Sequence, residues 1–348
     1  MAGHSGTPEL KFTHESLPQR VIFDSYAAAG HVAAEVDRLG ARRPMLISTG
    51  TTIEVQGAVR HTEVVMHVPV EVAERARARA AAEAVDVLVA VGGGSTTGLA
   101  KAVALTTGLP IIAVPTTYAG SEATAVWGLT DGGGKTTGTD PRVLPRVVVY
   151  DAGLTLSLPV PLSVASGLNA LAHCVDSMWA PRADPINRAF ALEGARALNT
   201  GLPTVFDAPS DLEGRENALY GAHLAAVAFA SAGSGLHHKI CHVLGGLFNL
   251  PHAPTHAVLL PYVTALNEFA APALAAAFGT PTAVEGLLSL QKRLDAPRSL
   301  RELGLNETDL PAAVDGVLPA VPAGNPAPID RPRLAELLHR AWEGTDPR

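Results

Sequence analysis

Short apolar runs alternate with helix-period segments through the first 150 residues. "RVIFDSY" (20–26), "PMLIST" (44–49), "EVVMHVP" (63–69), "VDVLVAVGGGS" (85–95), "PIIAVPTT" (110–117) and "RVVVYD" (146–151) read as strands. "AAAGHVAAEVDRLG" (27–40), "VEVAERARARAAAEA" (70–84) and "TTGLAKAVALTTG" (96–108) have helical spacing, the first closing on a stop signal at Gly40. Strands that are apolar at every position, separated by helices, predict a parallel sheet with helices on both faces.

The pattern changes after Asp151. "LSLPVPLSVASG" (156–167) leads into helical segments and strand runs become scarce. "INRAFALEGARALNTGL", "GRENALYGAHLAAVAFASAG", "HHKICHVLGGLFNL", "AVLLPYVTALNEFAAPALAAAFG", "AVEGLLSLQKRLDA" and "PRLAELLHRAWEG" all carry the helix period. The proline-rich stretch 310–332 reads as an ordered surface loop. The expected organisation is an α/β nucleotide-binding domain over 1–155 and an all-α substrate domain over 156–348, with the active site in the cleft between them. No internal repeat is evident.

The chain has 348 residues, 47% of them apolar and 17% charged. That supports a large buried core and argues against disorder. A net charge of −7 gives no footprint for nucleic acid or an anionic membrane. An anionic ligand would therefore need a local cationic pocket. Cys174 and Cys241 sit in apolar helical patterns and read as buried thiols. "MAGHSGTPEL" has no secretory signal pattern, no run suits a membrane span, and residues 1–15 read as disordered or peripheral. A cytoplasmic protein is expected.

"VLVAVGGGSTTGLAKA" (87–102) is strand, glycine turn, helix. Gly92, Gly93 and Gly94 let backbone approach a phosphate, the helix N-terminus offers unpaired N–H groups, and Ser95 and Thr96 add hydroxyls. The dinucleotide fingerprint G-x-G-x-x-G is absent. A second loop, "PTTYAGSEATAVWG" (115–128), brings Thr116, Thr117 and Ser121 to the same sheet end, and two such loops in one crevice point to a nucleotide. In "SGLNALAHCVDS" (166–177), Asn169 and His173 are four apart and share a helix face. Five of the 13 histidines fall in "HHKICHVLGGLFNLPHAPTH" (237–256), His238 and His242 again four apart, with His252 beyond a bend. Burying this many imidazoles costs free energy unless they find partners.

The set GGGS, PTTYAGSE, GLNALAH and H-x3-H-x9-H resembles the iron-containing (group III) alcohol dehydrogenase superfamily, and within it the maleylacetate reductases. "MHVPVEVAE", "GGGSTTGLAKAVAL", "VLPRVVVYD" and "SGLNALAH" match that subgroup over roughly residues 18–345. The resemblance implies a dehydroquinate synthase-like nucleotide-binding domain, a helical domain, NADH or NADPH as cofactor and a homodimer. In metal-dependent members an aspartate and three histidines hold iron or zinc. The matching positions here are Asn169, His173, His238 and His252, while His242 matches a histidine near the nicotinamide. Ser48 and Gly50 of "LISTG" and Lys135 fall on the cofactor side. Gly98 replaces a loop aspartate, and Gly50 stands where many relatives keep an acid. Ala327, in "GNPAPID", replaces an arginine expected near the substrate, which bears on the choice among related oxo-enoates.

An amide at Asn169 is a weak donor for a hard cation. The resemblance implies catalysis without metal; were one bound, His173, His238 and His252 would hold it. Maleylacetate is a conjugated oxo-enedioate. Hydride addition to its alkene carbon places charge on an enolate oxygen, which imidazolium or ammonium groups can stabilise. His173, His238 and His252 are expected to orient substrate and stabilise the oxyanion, a protonated histidine pair is expected to counter the carboxylates, and His242 is a candidate proton donor or nicotinamide neighbour. Lys239 either pairs with a carboxylate or is solvated. Tyr118 either faces substrate or packs in the core. The alternatives are a metal-dependent alcohol dehydrogenase or aldehyde reductase, a relative acting on another oxo-enoate, and a nucleotide-binding protein without this redox step.

Overall fold

The computed structural model describes residues 10–132 and 134–347. Its main sheet holds β1 (Arg20–Phe23), β2 (Pro44–Ile47), β3 (Val59–His61), β4 (Val87–Gly92), β5 (Ile111–Pro115) and β8 (Val147–Tyr150). All neighbours run parallel, in the order β1-β8-β5-β4-β2-β3. α1 (Ala28–Arg38) covers one face; α2 (Val70–Ala82) and α3 (Gly94–Thr107) cover the other. Alternation within each strand assigns the layers. Leu46, Val89, Ile112 and Val147 pack with Val32 and Val36 of α1, while Met45, Leu88 and Ile111 pack with Ala73 and Leu99 of α2 and α3. Burial on both faces is why these strands are apolar at every position.

The chain adds β2 and β3 in one direction and β4, β5 and β8 in the other. The order therefore reverses between β2 and β4, and the C-terminal ends of these two strands border the crevice in which such sheets take ligands. A two-stranded antiparallel hairpin, β6 (Val126–Asp131) and β7 (Gly134–Thr139), projects beside it.

From residue 160 the structure is helical: α4 (Val160–Ser177), α5 (Pro185–Asp207), α6 (Leu212–Ala232), α7 (Leu236–Phe248), α8 (His252–Asn267), α9 (Leu274–Phe278), α10 (Ala283–Arg293), α11 (Leu310–Val317) and α12 (Arg331–Glu343). α4, α5 and α6 share one core with Val148 and Tyr150 of β8, so the helices are packed directly against the sheet region. Among the described residues no single helix is long and apolar enough to cross a membrane.

Several expectations need correction. The strand read over 63–69 lies instead at Val59–His61, and His67 and Val68 take left-handed backbone (φ 64° and 50°) that ends any extended run. The β6–β7 hairpin was not foreseen. The stretch 310–332 is not a loop throughout: Leu310, Ala313, Val314 and Val317 give α11 a buried face. The helix read over 257–279 begins earlier, at His252, and breaks after Asn267. Residues 1–9 lie outside the description, but His14 is anchored, its Nδ1 2.8 Å from Asp184 Oδ2.

Candidate active site

β4 ends in the glycine loop. A Cβ on Gly92 would strike the Thr96 side chain, and one on Gly93 would lie 3.0 Å from Thr117 Cγ2. The two loops thus touch, and only glycine permits the contact. Thr96 is buried against Gly92, whereas Ser95, Thr116, Thr117 and Ser121 are half-buried along the crevice. Ser48 is buried at the end of β2, its hydroxyl accepting the Gly50 N–H at 3.3 Å. Gly50 itself is exposed, and a Cβ there meets nothing within 4 Å. At Gly98 a Cβ would approach Val68 Cγ2 to 3.0 Å, so a loop aspartate there would need Val68 to shift. The side chain of Lys135 lies outside the described residues.

Gly120 joins this crevice to the histidines. Its left-handed backbone (φ 76°) turns the second loop toward α4 and α6, where a Cβ would collide with Ala226 and come 3.8 Å from His173 Nδ1. His173 stacks on His238, ring centroids 5.0 Å apart. His238 and His242 lie one turn apart on α7 (6.2 Å), and His242 faces His252 across to α8 (6.0 Å). His256, one turn beyond His252, is 4.4 Å from it and 4.8 Å from His238. Backbone chemistry sets this convergence. Asn249 in the left-handed region closes α7, and Pro251 opens α8 at once, so two helix ends meet with their histidines inward. His242 and His252 are exposed at the mouth, His173 is half-buried, and His237, His238 and His256 form the floor.

The floor is neutral. Burial holds the pKa of His173, His238 and His256 well below 6.5, with neighbouring imidazoles adding to the effect, and drops His237 to about 3. A protonated histidine pair is therefore not to be drawn from His173 and His238: these imidazoles offer one N–H and one lone pair each, without charge. His237 Nε2 and His256 Nδ1 are hydrogen-bonded at 2.9 Å. Together with Cys241 their ligand-type atoms lie within 4.8 Å, but that bond already occupies the two nitrogens.

Tyr118 resolves to its packing alternative. It is fully buried, its hydroxyl accepting from Arg215 Nη1 at 3.2 Å. Arg215, also fully buried, donates further to Ser163 Oγ, Leu158 O and Pro209 O, tying the second loop to α4 and α6. Lys239 is half-buried next to His238. Ala327 is buried where its N–H meets Asn267 Oδ1, at the far end of α8 from His252, roughly 20 Å along the helix. An arginine side chain there would start a helix length away from His252.

Two functional side chains were missed. Lys101, on α3 and 1% exposed, donates from Nζ to Ser121 O (2.6 Å), Thr124 O (2.8 Å), Thr124 Oγ1 (3.0 Å) and Val126 O (2.8 Å), pinning the second loop. Its signal was a charge amid the apolar "GLAKAVAL". Asp176, three residues after His173, is fully buried with its carboxylate on the N-terminus of α7 and on His238 Nδ1 (2.7 Å).

The profile of the iron-containing alcohol dehydrogenases matches residues 18–152, and that of the Fe-containing alcohol dehydrogenase C-terminal region matches 163–342. The chain belongs to the iron-containing alcohol dehydrogenase family. It is thus an oxidoreductase. Within the family it is 43% identical to the maleylacetate reductase of Burkholderia cepacia, covering 97% of this chain and 99% of that one. Among solved structures, an iron-containing alcohol dehydrogenase from Corynebacterium glutamicum superposes with a TM-score of 0.94 at 55% identity over 97% of this chain and 99% of its own. The maleylacetate reductase of Rhizobium sp. gives 0.92 at 44%, with the same coverages.

The family name implies iron, and the residues fit that ion poorly. The position one turn before His173 carries the amide of Asn169, whose buried Oδ1 has no hydrogen-bond partner. Asp176 is committed to α7 and His238. Hard divalent iron favours an anionic oxygen ligand, and none of the side chains matching the family's ligand positions supplies one.

Proposed function

We propose that the chain is a maleylacetate reductase that works without metal. Bound NADH or NADPH would supply a hydride for the alkene carbon β to the ketone; with the electrons moved to the ketone oxygen and a proton added at the α-carbon, the product is 3-oxoadipate. The observation that carries the reading is the junction at Gly120, where two loops suited to a nucleotide meet His173 and the histidine floor. The similarity to named maleylacetate reductases over nearly the full chain supports the substrate.

In this reading residues 1–155 bind the nucleotide, 156–348 bind substrate, and the reaction takes place in the cleft between. The Gly92–Ser95 backbone and the N-terminus of α3 receive the pyrophosphate, with Thr116, Thr117 and Ser121 beside it. Gly50 leaves room for a ribose 2′-phosphate, so both cofactors are used. The neutral floor excludes water and supplies fixed dipoles where the enolate forms. His173 Nδ1, buried and without a hydrogen-bond partner, and the Lys239 ammonium meet that charge and the substrate carboxylates. His242 and His252, at the mouth, exchange the proton with solvent. β1 is a sheet edge carrying the exposed Phe23, with Tyr26 exposed just beyond it, which suits a homodimer contact there. Two free buried thiols suit a cytoplasmic setting, and the maleylacetate assignment suits a role in aromatic-compound catabolism.

The test follows oxidation of NADH and of NADPH with maleylacetate, before and after EDTA dialysis. Turnover with both cofactors, unaffected by chelation, is expected. Activity lost on chelation and restored by zinc or iron would establish the metal-dependent alternative, and no turnover would remove the substrate assignment.

A further inference from the structure

Asp176 lies on α4 one turn beyond His173 and is fully buried, as is its partner His238, at 2% exposure. Oδ2 accepts the Gly235 N–H at 2.8 Å and the His238 N–H at 3.5 Å; Oδ1 accepts the His237 N–H at 3.4 Å. The same Oδ2 lies 2.7 Å from His238 Nδ1. A carboxylate that receives N–H groups on both oxygens is acting as an acceptor. The proton between Asp176 and His238 therefore resides on Nδ1. A neutral imidazole carries only one N–H. The other nitrogen, Nε2, then presents a lone pair, and it is buried without a hydrogen-bond partner, amid the rings of His173, Phe229 and His256.

We propose that Asp176 is a positioning residue that locks His238 in the Nδ1–H tautomer, so that His238 acts in the site as a hydrogen-bond acceptor. Its Nε2 takes a neutral donor, the O–H or N–H of a bound ligand or cofactor, and not a carboxylate or enolate oxygen. This removes His238 from the groups that stabilise the developing anion and leaves that role to His173 and Lys239. Glycine at 235 makes the contact possible: a Cβ there would collide with the Asp176 carboxylate. The argument rests on the reading above only in placing a ligand beside His238.

Nitrogen-15 NMR of the unmodified enzyme, with His238→Gln to assign the signals, reads the tautomer directly. The expected spectrum shows a protonated, pyrrole-type Nδ1 and an unprotonated, pyridine-type Nε2 at His238. Asp176→Ala removes the acceptor at Nδ1, so the ring proton is no longer held there and redistributes to Nε2. In that variant kcat should fall about ten- to hundredfold, the usual cost of losing such an orienting partner, while KM for NADH stays within about twofold. A purely structural role would lower thermal stability and leave kcat per folded molecule intact, which would overturn the proposal. So would an Nε2–H signal in the unmodified enzyme, a measurement that holds whether or not the variant folds. Inactivity toward maleylacetate alongside the expected spectrum would remove the substrate reading and leave the tautomer assignment standing.

Discussion

Lys101→Met tests whether a residue remote from the chemistry sets the cofactor loop. The substitution keeps the unbranched side chain up to its fourth atom and removes the ammonium. Four hydrogen bonds of 2.6–3.0 Å vanish. Thr124 Oγ1 retains Ser121 O and the Val126 N–H as partners, and Ser121 O keeps the Thr124 N–H and hydroxyl, but the carbonyls of Thr124 and Val126 lose the Lys101 donor. Each buried acceptor left bare costs about 1–3 kcal/mol. Burial already holds the Lys101 pKa down at about 7, against the pull of the Glu122 carboxylate, so removing the ammonium recovers part of a desolvation cost. Two such carbonyls, less that recovery, give a net expected loss of about 2–4 kcal/mol, a large share of the roughly 5–15 kcal/mol of a typical domain. Urea unfolding followed by circular dichroism measures it. The loosened loop carries Gly120 and Ser121, so KM for the cofactor should rise on the order of tenfold, because small misplacements are amplified at a positioned site. A stability loss below about 1 kcal/mol with unchanged KM would refute the view that these carbonyls depend on Lys101.

Gly50→Asp has open space for its side chain; it should raise KM for NADPH at least about tenfold and spare NADH, since a carboxylate there repels the 2′-phosphate, and equal effects on the two cofactors would argue against Gly50 facing the ribose. Acid stability follows from the neutral floor. His173, His237, His238 and His256 have folded pKa values depressed below 6.5, so the unfolded chain binds more protons once the pH drops under 6.5. Stability is then lost as pH falls from 6.5 toward about 3. The slope is at most about 5 kcal/mol per pH unit for four such groups, reduced by Asp176, whose raised pKa acts in the opposite sense. Denaturant midpoints measured from pH 7.5 down to about 5 should fall steeply; a flat profile would mean that the histidines are charged in the fold.

Much of the local structure was legible because it is a matter of period and punctuation. Val87–Gly92 had to be a strand buried on both faces, since no polar position interrupts it. Gly92–Gly94 had to be a tight turn into a helix. Asn169 and His173, like His238 and His242, had to share a face because helices repeat every 3.6 residues. The hairpin at 126–139 escaped because its threonines and glycines show no apolar alternation. It is held from outside, where Thr130 Oγ1 donates to His67 O and Thr130 bridges Pro69.

The chemistry needed the fold. Chain order says nothing about Asp176 reaching His238 across 62 positions, or Lys101 reaching Val126 across 25. Nor does it say that Arg215 claims the hydroxyl of Tyr118, or that Ala327 lies a helix length away from the histidines. The charge on an imidazole is least legible of all. It depends on how much water three helices exclude and on which neighbour takes the ring's single proton. Hydrophobic period is a property of adjacent residues, whereas solvation and hydrogen-bond partnership belong to whatever the folded chain brings within a few ångströms.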